Sequence, residues 1–245
     1  MLRSRVIPSL LLNDGGLIKT KKFEKYKYIG DPINAIKIFN EKSVDELCIF
    51  DIGCTVNSSP IDYKLLKNIA VESNMPLCYG GGIKSVNDAT DIISLGFEKV
   101  SISSILQTNK EIIHDISEEI GSQSVVVTLD IKEIQNNEYR IFFNQGRYIS
   151  DFNLFDLIRE IEDLGAGELI LNFIDRDGMR KGYDIDFASE VKKLCKIPLT
   201  ILGGAGSMTD IKELLSNCSP IGAAAGSIFV FKGSLDAVLI NYDKL

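Results

Sequence analysis

Four aspartates stand at or just beyond the carboxyl ends of apolar segments that resemble buried strands. Asp130 ends the run VVVTLD, Asp51 ends ELCIFD, and Asp175 and Asp177 follow ELILNF. A carboxylate in such a place, partly removed from water, can act as a general acid or base. Asp130 is our candidate for proton transfer, with helix capping or loop bracing as the alternative. For Asp51 and Asp177 we expect contacts with substrate hydroxyls or bracing of loops.

Two glycine-rich turns have the pattern of phosphate sites. Gly80–Gly82 precedes a helical segment, and two serines end the next apolar run. Backbone N–H groups at a helix N-terminus, when no side chain covers them, bind phosphate well. Tight turns without a ligand are the alternative. The candidate residues, from the first and second halves of the chain, are Gly82, Ser103, Ser104, Gly178, Gly203, Gly204, Gly206, Gly226 and Ser227. If both turns lie at the same opening of one folded domain, they predict an elongated ligand with a phosphate at each end.

Charged residues of both signs stand at the amino ends of four apolar runs. They are Arg5, Glu46, Lys99 and Glu168. If these ends meet at the bottom of a barrel, two cations and two carboxylates can form a closed ring of salt bridges that plugs or gates the axis. A solvated charge at each strand start is the alternative.

Two connections are long enough to suggest a function. Leu12 to Asp31 is rich in lysine, and we expect Lys19, on a mobile loop, to reach an anionic substrate; plain solvated charge is the alternative. Lys132 to Ser150 contains a predicted hairpin that turns at Asn136 and Asn137. Both follow strands, so we expect them on the face where barrel active sites lie.

Eight short β-branched runs alternate with amphipathic segments, which predicts parallel strands with crossover helices. The predicted helices are Pro32–Lys42, Ser85–Leu95, Asn109–Ile120, Phe152–Leu164, Asp186–Leu194 and Met208–Leu215. The predicted strands are Arg5–Leu11, Glu46–Ile52, Pro76–Gly80, Lys99–Ser103, Ser124–Ile131, Glu168–Phe173, Leu199–Gly203 and Ile221–Ala225. Eight units in 245 residues predict one (β/α)₈ TIM barrel over residues 1–245, of the α/β class.

The two halves of the chain resemble each other. ELCIFDI begins at Glu46 and ELILNFI at Glu168 (168 − 46 = 122), and the glycine runs begin at Gly80 and Gly203 (203 − 80 = 123). A nearly constant offset predicts two fused half-barrels, about 1–121 and 122–245. Chance similarity between apolar strands is the alternative.

Composition excludes several classes of protein. A net charge of −7 argues against nucleic-acid binding, and the chain has neither a long apolar run nor a signal-peptide pattern. Five cysteines without a C-x-x-C pair indicate reduced thiols and a cytoplasmic location. With His114 as the single histidine, we predict no metal, and no cofactor is expected.

Over nearly its whole length the chain resembles HisF, the cyclase subunit of imidazole glycerol phosphate synthase. The stretches that carry the resemblance are RVIPSL, NDG, GDP, DEL…FDI, GGGI, KVSI, GSQSVVV.LD, GAGE, IDRDG…GYD and GGAG. The resemblance implies a TIM-barrel lyase and a HisH-like glutaminase partner that releases ammonia. It implies that ammonia travels along the barrel axis to the mouth and reacts there with a bis-phosphorylated aminoimidazole intermediate.

The resemblance also implies roles for particular residues. Asp130 matches one of two catalytic aspartates, Lys19 matches a substrate loop, and Glu98 matches a contact with the glutaminase. The residues that match phosphate sites are Gly82, Ser104, Gly178, Gly204 and Ser227, and those that match the ammonia gate are Arg5, Glu46, Lys99 and Glu168.

One departure from the family pattern stands at the first strand end. The family reads LDVKDG, whereas this chain reads LLLNDG, so Leu11 replaces the second catalytic aspartate. Ser103, Asn172 and Leu202 also differ from the usual Asn, Thr and Ser. Because one general acid or base contributes about 10²–10⁴-fold, we expect impaired cyclase activity.

These departures make the chain similar to HisF-like proteins associated with amidation of bacterial surface sugars. The leading hypothesis is an ammonia-conducting subunit in O-antigen or lipopolysaccharide biosynthesis that supplies a separate sugar amidotransferase. The alternatives are a true histidine-biosynthetic cyclase, a non-catalytic module that binds a phosphorylated metabolite or scaffolds a glutaminase, and a sugar-phosphate isomerase.

Overall fold

The computed structural model describes residues 3–57, 59–135, 138–233 and 235–242, and within them the chain forms a closed parallel barrel. The eight barrel strands are β1 Arg5–Asn13, β2 Leu47–Asp51, β3 Leu77–Gly80, β4 Lys99–Ile102, β5 Val125–Gln135, β6 Glu168–Phe173, β7 Leu199–Leu202 and β8 Gly222–Ala225. Each pairs in parallel with the next, and β8 pairs with β1. The predicted TIM barrel is confirmed.

Helices follow the strands and cover the outside of the barrel. They are α1 Pro32–Glu41, α2 Tyr63–Glu72, α3 Val86–Ser94, α4 Ile112–Ile120, α5 Leu154–Asp163, α6 Ile185–Leu194, α7 Met208–Cys218 and the short α8 Ser227–Val230. Sequence reasoning missed α2, although Asp62 caps its first turn by accepting a hydrogen bond from the Leu65 N–H. Within the described part of the chain, every helix is too short or too polar to cross a bilayer.

The helices α3 and α7 begin with the same device. Ser85 and Asp88 form a capping box at α3, and Ser207 and Asp210 form one at α7. Each serine accepts the N3 backbone N–H while the aspartate accepts the N-cap N–H, which satisfies two otherwise unpaired donors. The boxes stand 207 − 85 = 122 residues apart, the offset at which the sequence predicts a half-barrel repeat.

Two antiparallel hairpins extend from the carboxyl ends of β1 and β5. The first pairs Gly16–Lys21 with Glu24–Gly30, and the second pairs β5 with Glu138–Phe143, which in turn pairs with Tyr148–Ile149. The sequence predicted a loop for the first and a hairpin for the second. Asn136 and Asn137, the predicted turn, lie outside the described residues.

The barrel interior is layered along its axis. Charged side chains fill the amino-terminal end, and above them lies a buried apolar layer formed by Ile7, Cys48, Cys78, Val126, Ile170 and Ala224. Above that layer, the buried hydroxyls of Ser101 and Thr128 lie 2.7 Å apart. The layering follows from the two-residue period of strands, which points every second side chain inward.

Candidate functional site

A cavity of about 560 Å³ opens at the carboxyl ends of the barrel strands. This volume is in the range of small-molecule sites. It brings together residues that are far apart in the sequence, including these predicted ones: Lys19, Asp51, Gly82, Ser103, Ser104, Asp130, Asp177, Gly178, Gly203, Gly204, Gly226 and Ser227. Their roles with a ligand remain predictions, but their common location in one mouth is observed.

Asp130 is held in the mouth by one neighbour. The amide Nδ2 of Asn172, on the adjacent strand β6, donates to Asp130 Oδ1 at 2.8 Å. Burial raises the pKa of Asp130 to about 7, although the Asn172 hydrogen bond opposes this and the charge of Asp177 adds to it. A carboxyl group that titrates near neutrality can both accept and donate a proton at physiological pH.

Lys19 lies inside the mouth rather than on a mobile loop, which corrects the sequence prediction. It belongs to the first hairpin, is 5% exposed, and donates from Nζ to the Ser9 carbonyl at 3.0 Å. Gly226 makes this possible, since a Cβ there would lie 1.7 Å from Lys19 Nζ. Burial lowers the pKa of Lys19 to about 8, against the opposing charge of Asp177.

Asp177 and Asp51 brace the loops of the mouth. Asp177 Oδ2 accepts from the Thr20 hydroxyl at 2.6 Å and from the Phe23 N–H at 3.2 Å, which fixes the first hairpin above the barrel. Asp51 caps the short helix Ile52–Val56 by accepting the Cys54 N–H. Burial raises the pKa of both carboxyls, against the hydrogen bonds that each accepts.

Two other residues that follow strand ends, Asp175 and Gly206, lie outside the lining of this cavity. Asp175 does not line the cavity; its Oδ2 accepts the Glu133 N–H at 3.0 Å and so braces the loop of β5. Gly206 faces a separate cleft of about 200 Å³ beside Arg180, and its N–H donates to Asp210 Oδ2 at 2.7 Å. The Gly206 N–H is therefore already hydrogen-bonded within the protein.

The glycines of the mouth are required by backbone geometry. Gly82, Gly178 and Gly204 have φ values of 70°, 65° and 119°, in the region that favours glycine. At Gly178 and Gly204 a Cβ would lie 2.4 Å from the Thr20 carbonyl and 2.2 Å from the Gly182 carbonyl. These turns hold the backbone closely packed at the rim, where a side chain would collide with neighbouring carbonyls.

Leu11 lines the same cavity as Asp130. It is paired with Phe50 of β2 on one side and Ile18 of the first hairpin on the other. The apolar residue at the end of β1 therefore faces the mouth, where it can shape the cavity but cannot transfer a proton. Leu202 also contributes an apolar side chain to the lining.

A closed ring of ion pairs fills the opposite end of the barrel, as predicted. Its four side chains, which we call the charge ring, are Arg5, Glu46, Lys99 and Glu168. The contacts Arg5–Glu46, Glu46–Lys99, Lys99–Glu168 and Glu168–Arg5 measure 2.6, 2.7, 2.8 and 2.8 Å. Thr200 adds a hydroxyl that donates to Glu168 at 2.6 Å. Glu98 is exposed beside this end of the barrel.

The charge ring keeps Lys99 and Glu168 ionised. Burial works to lower the pKa of Lys99, but the carboxylates of Glu168 and Glu46 outweigh burial and raise it. For Glu168, burial works to raise the pKa, and the nearby cations outweigh it and lower the pKa. Four fixed charges thus close the bottom of the axis.

Sequence reasoning missed three polar residues that support these sites. Thr20 holds Asp177, Thr200 holds Glu168, and Gln145 reaches across the mouth to donate to the Ile52 carbonyl at 3.1 Å. For Thr200 the available signal was a hydroxyl inside an otherwise apolar strand. Among the described residues, no group of three His, Cys, Asp or Glu side chains is arranged to hold a metal ion.

Comparison with known proteins places this architecture in a family. Residues 5–236 match the model of the family described as histidine biosynthesis protein. A Vibrio vulnificus protein provisionally named imidazole glycerol phosphate synthase subunit hisF3 is 51% identical over 99% of this chain and 94% of its own length. The chain belongs to the HisF family. A Pseudomonas aeruginosa relative, provisionally named subunit hisF2, is 43% identical over 99% of the chain and 96% of its own length.

Other HisF relatives carry the family name without a provisional label. The imidazole glycerol phosphate synthase subunit HisF of Buchnera aphidicola is 36% identical over 94% of this chain and 91% of its own length. The chain is thus a HisF-like imidazole glycerol phosphate synthase subunit by family, and its site combines the family's barrel with a leucine at the end of β1.

Proposed function

We propose that this HisF-like chain is the barrel subunit of a glutamine amidotransferase complex and conducts ammonia for amidination of a bacterial surface sugar. The observation that carries the proposal is the location of Leu11, which lines the mouth together with Asp130. Of the two aspartates that the cyclase reaction of the family uses, the mouth keeps Asp130 and has Leu11 in place of the other. The proton transfer that the second acid performs has no group at that position to perform it.

The charge ring supports the part of the proposal that concerns ammonia. Its four charges close the end of the axis that lies opposite the mouth, and Glu98, the residue proposed to contact a glutaminase, is exposed at the start of β4. Above the ring, the apolar layer around Ile7 and Val126 makes this part of the axis unfavourable for an ion, which supports the passage of an uncharged molecule such as ammonia. We propose that a glutaminase docks at the ring and that the ring admits ammonia.

The mouth residues support a role in holding an anionic acceptor or a phosphorylated ligand. Lys19 provides a buried amine beside Gly226 and Ser227, and the glycine turn at Gly82 provides backbone on the other half of the barrel. Asp130, with its pKa of about 7, can remove a proton as ammonia adds to an acceptor. These groups can bind an anionic ligand and transfer one proton, whereas the complete cyclisation requires two proton-transfer groups.

The test uses the chain with its glutaminase, glutamine and the bis-phosphorylated aminoimidazole intermediate. We expect glutamine hydrolysis without formation of imidazole glycerol phosphate at a normal cyclase rate. The glutaminase with a HisF that has both aspartates is the positive control. Turnover of the intermediate at the rate of that control would exclude the proposal. In cells, we expect Lys99→Met to abolish sugar amidation while complex formation stays intact.

The second candidate is a true cyclase with an altered acid, and the retention of Asp130, Lys19 and the glycine turns favours it. The discriminating variant is Leu11→Asp. Our proposal expects this change to raise turnover of the aminoimidazole intermediate from a very low level. A true cyclase in which another group performs the second proton transfer would already convert the aminoimidazole intermediate, and Leu11→Asp would leave its rate unaltered.

A further inference from the structure

Exposed apolar side chains are concentrated around the mouth. Of the ten large hydrophobic residues that are exposed in the described part of the chain, two lie on outer helices, Val71 on α2 and Leu194 on α6. The other eight lie at the end of β5 or on segments that follow β1, β5 and β8; they include Val238 and Leu239, and we call the remaining six the mouth rim: Tyr26, Tyr28, Ile134, Tyr148, Ile149 and Leu235. Contiguous exposed apolar residues on a protein surface mark interaction sites, whereas scattered ones do not.

The segments that carry the mouth rim are held to one another. The Tyr26 hydroxyl donates to Gln145 Oε1 at 3.4 Å, which joins the first hairpin to the second. Lys27 Nζ donates to the Asp236 carbonyl at 2.8 Å, which joins the first hairpin to the segment after β8. The three segments that carry the mouth rim are therefore joined to one another by side-chain hydrogen bonds.

The first hairpin, which carries Tyr26 and Tyr28 of the mouth rim, is positively charged although the chain as a whole carries −7. Lys21, Lys22, Lys25 and Lys27 are all exposed on the first hairpin, against one glutamate, Glu24. In the described part of the chain, neither Lys22 nor Lys25 forms an ion pair, whereas Lys21 lies 3.8 Å from Asp236. An apolar and aromatic centre beside unpaired cations is the composition of a surface that binds an acidic protein.

We infer that the mouth rim is the docking surface for the acidic face of a separate enzyme that consumes the ammonia. The inference rests on the proposed function, because it presumes that ammonia leaves the mouth for another active site. Ammonia released into neutral water takes up a proton and ceases to be a nucleophile. A partner seated on the rim covers the opening and receives ammonia before water does.

The experiment reconstitutes this chain, its glutaminase and the sugar amidotransferase that consumes the ammonia under the proposed function. Three rates are measured: glutamine hydrolysis, amidation with glutamine, and amidation with added ammonium chloride. The rim variants are Lys22→Glu with Lys25→Glu, and Tyr28→Ser with Ile149→Ser. The matched controls change exposed residues on outer helices: Lys64→Glu with Lys67→Glu, and Val71→Ser with Leu194→Ser.

We expect both rim variants to lower glutamine-driven amidation at least tenfold, with unchanged glutamine hydrolysis and unchanged ammonium-driven amidation. The control variants retain all three rates. Unchanged glutamine hydrolysis shows that the rim variants are folded and still bind the glutaminase, so a loss of transfer reports on the rim alone.

Three outcomes would overturn the inference. If the rim variants transfer ammonia like the wild type, the docking surface is wrong and the proposed function stands. If the wild type itself gives no glutamine-driven amidation while ammonium chloride does, the proposed function and the docking surface fall together. If sedimentation shows that the chain alone forms a dimer that the rim variants dissociate, the rim binds a second copy instead.

Discussion

The two ends of the barrel contain similar ionisable groups in opposite electrostatic situations. In the charge ring, every buried charge contacts two of the opposite sign within 2.8 Å. In the mouth, Asp130 receives one hydrogen bond from a neutral amide, and Lys19 donates to a neutral carbonyl. Burial is the largest influence on the pKa at both ends, yet only at the mouth does burial decide the direction of the shift.

The comparison shows that one barrel can hold permanently charged groups at one end of its axis and groups that titrate near neutrality at the other. Pairing in the ring moves the pKa of Glu168 down and that of Lys99 up, away from neutrality. Isolation in the mouth moves the pKa of Asp130 to about 7 and that of Lys19 to about 8. Permanent charge suits a plug, and a group that titrates near pH 7 suits proton transfer.

The largest expected effect comes from breaking the charge ring. Glu168→Ala removes the common partner of Arg5, Lys99 and Thr200 and leaves two buried cations with one carboxylate between them. We expect a loss of about 3–5 kcal/mol in the free energy of unfolding, measured by urea denaturation at pH 7.

The matched control for the ring is an exposed ion pair. Asp156→Ala removes the pair with Arg159 on the surface of α5, where both side chains are more than half exposed. We expect it to cost at most about 0.5 kcal/mol. Equal losses for the two variants would show that the ring carries no more stability than a surface pair, and the contrast between the ends would fail.

Asp130→Asn in the mouth is expected to have a smaller effect, which is a change in how the free energy of unfolding depends on pH. The folded-state pKa of about 7 lies above the value of about 3.9 for an unfolded chain. The folded state therefore holds a proton that the unfolded state has released. The stability from this group is complete below about pH 4 and is lost as the pH rises through 7.

The measurement compares urea denaturation at pH 5 and pH 8 for the wild type and Asp130→Asn. We expect the wild type to lose about 2 kcal/mol more than the variant over this range. Parallel pH dependences in the two proteins would mean that Asp130 is ionised throughout, as the ring carboxylates are, and that the mouth has no titratable acid at neutrality.

Thr200→Val tests a single support of the ring with little change in shape. Thr200 is completely buried, and its hydroxyl is 2.6 Å from Glu168 Oε1. We expect a loss of about 1–2 kcal/mol in the free energy of unfolding, because a carboxylate loses a charged hydrogen bond. Thr90→Val is the control, since its hydroxyl donates only to the Val86 carbonyl of its own helix. A Thr200→Val loss no larger than that of the control would contradict the role of Thr200.

Much of the fold could be predicted because it depends on local pattern. Alternation of apolar runs with amphipathic segments predicted all eight strands, and their starts differ from the observed ones by at most one residue. The helix α2 escaped prediction although Asp62 gives it a capped start. The hairpin that begins with Gly16–Lys21 escaped because its lysines do not alternate regularly with its apolar residues, and it is held by contacts with Asp177 far along the chain.

The charge ring could be predicted more fully than the mouth. Strand starts in a closed barrel meet at one end, so charge type and register were sufficient to place Arg5, Glu46, Lys99 and Glu168 together. In the mouth, Asp175 and Gly206 turn away because loops, not strand register, set their direction. The burial of Lys19 depends on the missing side chain at Gly226, a contact that no local pattern reveals.

The smallest expected effect concerns the one hydrogen bond that opposes burial at Asp130. Asn172→Ala removes the donor that lies 2.8 Å from Asp130 Oδ1 and that lowers the pKa of this carboxyl. We expect the pKa to rise above 7 by about one unit, which corresponds to about 1 kcal/mol. Carbon NMR of the aspartate carboxyls follows this titration, with Asp130→Asn to assign the signal.

Ser101→Ala is the control for this prediction, because it removes the buried contact with Thr128 in the barrel interior and leaves Asn172 in place. If the pKa of Asp130 instead fell in Asn172→Ala, water would be hydrating the carboxyl once the amide is gone. The raised pKa of Asp130 would then depend on Asn172 keeping water out, and not on the rest of the mouth.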